Sequence, residues 1–144
     1  MREALNEAFD GIRQKHGGPF GAVIVRDGKI LGRGHNMVLV NSDPTAHGEI
    51  TAIRNACNNS GSYDLSGCEL YTTGQPCPMC LYACMWANIK KIYYGCTIDD
   101  NAVIGFRDKS FYEGGDSSPE LIGIDREACM ELFESYLASE HDLY

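Results

Sequence analysis

Apolar residues recur along the chain in two rhythms. Near the start, Leu5, Ala8, Phe9 and Ile12 fall three and four apart, which predicts a short amphipathic helix. His16-Gly17-Gly18-Pro19 breaks it. The rhythm then changes. Residues 20–25 are an apolar, β-prone run, Arg26-Asp27-Gly28-Lys29 has hairpin chemistry, and 30–36 reads as the returning strand. Asn41-Ser42-Asp43-Pro44-Thr45 is a loop that opens a helix over 46–58, with Ala46, Ile50, Ile53 and Cys57 along one face. A strand over 68–73, a Gly74-Gln75-Pro76 turn, a helix over 77–87 and a strand over 91–96 follow. Beyond them the pattern predicts a short helix near 100–104, a short strand over 121–124 and a capped amphipathic helix over 125–138. Strands alternating with helices predict a layered α/β domain.

Composition narrows the class. The 144 residues are 44 % hydrophobic and 22 % charged, the balance of one globular domain spanning 1–144. Twelve Lys and Arg against twenty Asp and Glu give a net charge of −8, which weighs against nucleic acid as the partner because phosphate backbones repel it. No apolar run approaches the ~20 residues of a membrane span. The start, Met1-Arg2-Glu3-Ala4-Leu5-Asn6-Glu7, is too polar and acidic for a secretory signal, so a cytoplasmic protein is expected. Seven cysteines, an odd number, then read as reduced thiols rather than a disulfide framework.

Two short motifs carry chemistry: His47-Gly48-Glu49 and Pro76-Cys77-Pro78-Met79-Cys80. One imidazole and two thiolates are three good ligands for zinc, and a catalytic zinc keeps a fourth position for water. Cys77 and Cys80 lie one turn apart at a helix start, whose positive end favours thiolates. Residues two apart on a helix face different ways. His47 and Glu49 therefore share a site only if His47 stands at the very first turn. Glu49 is then the proton carrier. The plainer readings are a structural zinc knuckle or a redox pair. Cys84 would be the fourth ligand of a knuckle, but it lies a full turn beyond Cys80 and reads as a core residue, as do Cys57, Cys68, Cys96 and Cys129.

These motifs resemble the zinc-dependent cytidine/deoxycytidylate deaminase superfamily, whose H-x-E…P-C-x-x-C signature they match. Gly18-Pro19-Phe20-Gly21-Ala22-Val23, Asn41 to His47 and Leu70-Tyr71-Thr72-Thr73 resemble its free-base branch. Trp86 and Gly105-Phe106-Arg107-Asp108 are most similar to the guanine deaminases. His47-Gly48-Glu49 and Gly32-Arg33-Gly34-His35-Asn36 are closer to fungal cytosine deaminases. The resemblance implies a three-layer α-β-α fold with a central mixed five-stranded sheet. It implies one Zn²⁺ per subunit on His47, Cys77 and Cys80, and hydrolytic deamination by zinc-activated water with Glu49 as proton shuttle. The implied reaction turns guanine into xanthine and ammonia. Cytosine deaminase is the alternative. A transfer-RNA adenosine deaminase and a non-catalytic zinc module come behind it.

The resemblance also marks substrate residues, each with a plainer role beside it. Asn36 would point at the base, or close a strand-end turn. Phe20 and Trp86 would stack on it, or pack. The Gly48 N–H would bind a substrate oxygen or ring nitrogen. Asp108 would accept two N–H bonds from guanine, or be a solvated loop acid. From Glu120 on there are seven acids and one base, Arg126, a tail that repels RNA. Tyr144 would close over the site, or be a frayed end. The implied assembly is a homodimer with helices or the C-terminal segment exchanged, acting on a small-molecule nucleobase.

Overall fold

Four strands carry the architecture of the computed structural model: β1 (Gly21–Arg26), β2 (Lys29–His35), β3 (Glu69–Gly74) and β4 (Lys91–Cys96). The structure describes residues 1–114, 119 and 121–139. Asp27 and Gly28, both at positive φ, turn β1 into β2 as a tight hairpin. The sheet order is β2-β1-β3-β4. β1 pairs antiparallel with β2 and β3, and β3 pairs parallel with β4. That parallel pair needs a crossover, which α4 (Pro78–Trp86) supplies. The other helices are α1 (Arg2–Arg13), α2 (Val38–Asn41), α3 (Gly48–Ser60), α5 (Ile98–Val103), α6 (Asp108–Tyr112) and α7 (Arg126–Leu137). No helix among the described residues is long and apolar enough to cross a membrane.

Successive residues of β1 face opposite ways and meet different helices. Gly21 meets α1, whereas Ala22 and Ile24 meet Ala52 and Ala56 of α3 in a core completed by Leu65, Leu70, Cys84 and Ile89. Helices thus cover both faces, as expected for three layers. The sheet has four strands among the described residues, not five. Residues 121–124 form no strand and are exposed, and β4 is the sheet's open edge. α7 forms where the pattern predicts it but buries no residue.

Two helix faces also differ from expectation, for one reason. α1 buries Ala4, Ala8 and Gly11, while Phe9 of its apolar stripe is 57 % exposed and Leu5 and Ile12 are exposed too. α3 buries Glu49, Ala52 and Ala56 most deeply, with Ile53 and Cys57 at the margin. Both helices approach the sheet backbone to backbone. A Cβ at Gly34 would lie 2.5 Å from the Ala52 nitrogen, and one at Gly21 would lie 2.1 Å from the Ala4 carbonyl oxygen. At that spacing only small residues fit beneath the helix.

Candidate active site

α3 and α4 lie on the same side of the sheet and aim their first turns at one point. His47 is the N-cap of α3, with extended backbone at φ −69° and ψ 161°. Cys77 is the N-cap of α4 at φ −66° and ψ 167°, and Pro78 begins that helix. A proline there costs no hydrogen bond and presets the helical φ. Because His47 stands just outside the helix, its ring and the Glu49 side chain reach the same site, as the spacing requires. His47 Nδ1 lies 3.7 Å from Cys77 Sγ and 3.6 Å from Cys80 Sγ. Tetrahedral zinc, with Zn–S near 2.3 Å and Zn–N near 2.0 Å, separates such ligand atoms by about 3.6 Å. The residues therefore fit the ion. Among the described residues, these three form the one cluster of at least three His, Cys, Asp or Glu side chains close enough to hold a metal. Cys84 is fully buried in the core, where burial pushes its thiol up to about 12.

The electrostatics explain why a cation belongs there. Hydrogen bonding from the Cys80 thiol, and then from His47, pulls Cys77 down to about 4. Cys80 is driven strongly the other way, by that bond to Cys77 and by burial. Without a cation, one thiolate forms at the expense of the other; a divalent ion stabilises both. His47 is raised, first by its hydrogen bond with Cys77. Glu49 is 5 % exposed, and burial raises its carboxyl above the usual carboxylate range. Thr72 Oγ1 donates to Glu49 Oε1 at 3.4 Å, and Cys80 Sγ lies 3.5 Å from Oε2. A carboxyl that is buried, oriented and reluctant to ionise is suited to taking up and returning a proton.

The cavity beside these groups is lined by Phe20, Asn36, His47, Glu49, Gln75, Cys77, Asn101, Phe106 and Asp108. Asn36, Phe20 and Asp108 are thus brought to the metal ligands from three distant stretches of chain. Gly48 begins α3 and is buried against the Phe20 carbonyl, so its peptide lies at the same helix start. Phe20 meets Phe106 edge to face, with centroids 4.7 Å apart. Asp108 opens α6 and is half-buried, and burial raises its carboxyl. Two bonds hold α6 in place. Tyr112 Oη donates to the Pro76 carbonyl at 2.6 Å, and Lys109 Nζ pairs with Asp99 at 2.7 Å.

Trp86 does not join this cavity. It ends α4, is 70 % exposed, and lines a surface depression with Tyr82, Met85 and Asn88. Tyr144 lies outside the described residues. Thr72, Gln75, Phe106 and Asn101 were not foreseen as site residues. Asn101 is 2 % exposed, and its Nδ2 donates to the Gln75 carbonyl at 3.4 Å. No spacing rule marks Gln75 or Asn101. Phe106, two residues before Asp108, and Thr72 both lie in stretches already matched to a family and were the detectable ones.

A family model of the cytidine and deoxycytidylate deaminase zinc-binding region matches residues 1–96. Guanine deaminase of Bacillus subtilis is 47 % identical over 120 residues, covering 83 % of this chain and 77 % of that protein. The tRNA-specific adenosine deaminase of Aquifex aeolicus is 43 % identical over 94 residues, covering 65 % of this chain and 62 % of that protein. The crystal structure of the Bacillus subtilis guanine deaminase superposes with a TM-score of 0.87 at 37 % identity, covering 99 % of this chain and 94 % of that one. The donor set at the two helix starts lies within the residues that this zinc-binding model matches and could hold the ion. The chain therefore belongs to the cytidine and deoxycytidylate deaminase family and is a zinc-dependent hydrolase.

Proposed function

We propose that the protein deaminates free guanine, yielding xanthine and ammonia. The observation that carries this reading is Asp108, a half-buried carboxylate lining the cavity that holds Asn36, His47 and Glu49. It can accept from guanine N1–H and the 2-amino group together, a pair that cytosine does not offer. Likeness to a protein named guanine deaminase, at 47 % identity, supports it. The net charge of −8 weighs against an RNA substrate, although relatives named tRNA-specific adenosine deaminases are also similar.

In this reading Phe20 and Phe106 form the apolar wall against which the base lies. Asn36 and the Gly48 N–H hold its polar edge, and Asp108 holds the N1 side. When bound on His47, Cys77 and Cys80, zinc supplies the Lewis acidity that makes water nucleophilic at neutral pH. Glu49 takes a proton from the attacking water, delivers it to the ring nitrogen beside C2, and then passes a proton to the departing amine. The C2–N bond breaks as ammonia leaves. Thr72 keeps the Glu49 carboxyl aimed during these transfers.

The same reading includes one folded domain, a cytoplasmic setting, and a homodimer whose C-terminal segments are exchanged. Exposed Leu121, Ile122, Ile124, Leu132, Phe133 and Leu137, with the open β4 edge, support the exchange. Sedimentation at twice the chain mass is the expected result.

The deciding experiment gives zinc-loaded protein guanine, cytosine, adenine, guanosine and an anticodon stem-loop RNA in separate assays, following ammonia and ultraviolet spectra. Turnover of guanine alone is expected. Turnover of cytosine instead would make Asn36 and His47-Gly48-Glu49 the better guides to the substrate. Turnover of the RNA alone would overturn the free-base reading.

A further inference from the structure

Three titratable side chains outside the metal site form a chain that the proposed chemistry does not use. Glu7 projects from α1, His35 ends β2, and His16 lies in the loop after α1. Glu7 Oε2 is 3.1 Å from His35 Nδ1, and His35 Nε2 is 2.9 Å from His16 Nδ1. The two rings lie stacked, with centroids 5.2 Å apart. All three residues are half-buried. The hydrogen-bond logic constrains the protons. A carboxylate only accepts, so His35 carries a proton on Nδ1. One proton lies between the two rings, on His35 Nε2 or on His16 Nδ1.

The chain is anchored around Asn36. Asn36 follows His35 directly and is 3 % exposed. Its N–H donates to the Phe20 carbonyl at 2.8 Å, and its Oδ1 accepts from the Val38 N–H at 3.2 Å. With the oxygen held that way, the NH₂ end is the one available to the cavity. The His16 carbonyl accepts from Leu39 and Val40 N–H at 3.0 and 3.2 Å, so the same residue holds α2. Gly17 lies directly against the amide: a Cβ there would fall 2.0 Å from Asn36 Oδ1. Gly11 lies as closely on the His35 ring, 2.8 Å by the same measure. The terminal rotation of an asparagine amide is intrinsically loose. Its direction has to come from what is packed on it, and here that is the backbone next to His16.

We propose that Glu7, His35 and His16 are positioning residues for Asn36, their hydrogen-bond chain clamping the 16–18 loop onto the amide and aiming it into the base cavity. The proposal rests on the reading of that cavity as a nucleobase site. Its first readout needs no substrate.

The test compares the zinc-loaded full chain with H35L and H35Q. Glutamine keeps one N–H donor and one carbonyl acceptor, and leucine keeps neither. The readouts are the Asn36 side-chain amide signals in ¹⁵N–¹H spectra, zinc content, and KM and kcat on guanine. In H35L the Asn36 signals are expected to move and KM to rise about tenfold, the worth of one mis-aimed polar contact, with zinc content and kcat little changed. H35Q is expected to restore both readouts. Should H35L not fold, Glu7→Ala cuts the same chain from the outer side of α1 and carries the same expectation. Unmoved Asn36 signals in whichever of these variants folds would overturn the proposal, whatever the substrate. So would a loss of kcat and zinc at constant KM, or H35Q behaving as H35L does. If wild-type protein leaves guanine untouched, the guanine reading falls and the amide signals alone decide this one.

Discussion

The two walls of the cavity are built on different principles. The metal wall comes from two helix starts, each contributing a motif of three to five consecutive residues: His47 with Glu49, and Cys77 with Cys80. Backbone geometry at an N-cap places those side chains almost without help from the rest of the fold. The recognition wall draws Phe20, Asn36, Gln75, Asn101, Phe106 and Asp108 from loops and short helices spread over nearly ninety residues. Cross-chain bonds such as Tyr112 to Pro76 keep it together. In the proposed reading, chemistry is thus local and stiffly held, whereas the choice of base is distributed. Damage to the first wall should silence every substrate, and damage to the second should change which base is used.

The sharpest way to break this comparison is at Glu49. E49Q keeps the side chain's size and removes the proton carrier, so kcat should fall by about 10²- to 10⁴-fold on every accepted base. Zinc content, read by atomic absorption, should stay at the wild-type level because Glu49 is not one of the three ligands. Comparable turnover with zinc retained would remove Glu49 from the chemistry.

D108A should act more selectively. Loss of a charge-assisted contact worth about 1.5–3 kcal/mol lowers kcat/KM on guanine by about 10- to 100-fold and leaves zinc in place. The same residue gives a pH signature. Asp108 must be ionised to accept from guanine, and burial, then the charge of Cys77, raise its carboxyl. KM for guanine should therefore climb as pH falls through that raised value, and D108N should show a high, flat KM instead. A pH-independent wild-type KM would place Asp108 outside the recognition wall.

The smallest effect belongs to Cys84, which sits one turn from Cys80 yet faces the core. C84A should lower stability by about 1 kcal/mol, the ordinary cost of trimming a buried residue, with zinc content and kcat unchanged. Zinc loss in that variant would blur the boundary between ligand and core.

How much of this was legible in the residues differs between elements. The order of the sheet strands and the longer helices follows from periodicity and turn chemistry, and the observed starts of α3 and α4 fall within two residues of expectation, whereas the short α2 and α6 were not foreseen. The packed faces did not follow. Leu5, Phe9 and Ile12 make the obvious stripe of α1, yet Ala4, Ala8 and Gly11 pack, because close approach to a glycine-bearing strand selects for smallness rather than hydrophobicity. The expected fifth strand over 121–124 is not formed: the segment is exposed and pairs with neither edge of the sheet. Trp86 carried a family resemblance, but its place at the end of α4 turns it to the surface.

The sequence by itself determined the metal wall. Ligand identity, spacing and the proline that starts α4 are properties of a few neighbouring residues, and helix geometry does the rest. Tertiary structure alone decided the recognition wall. Which loop amide or phenyl ring reaches the cavity depends on how the sheet order brings β1, β2 and the β4–α6 stretch around the two helix starts, and no local rule encodes that distance. The Glu7–His35–His16 chain is the clearest case: its members are ordinary surface-type residues in the sequence, and only folding places one donor opposite one acceptor at each link.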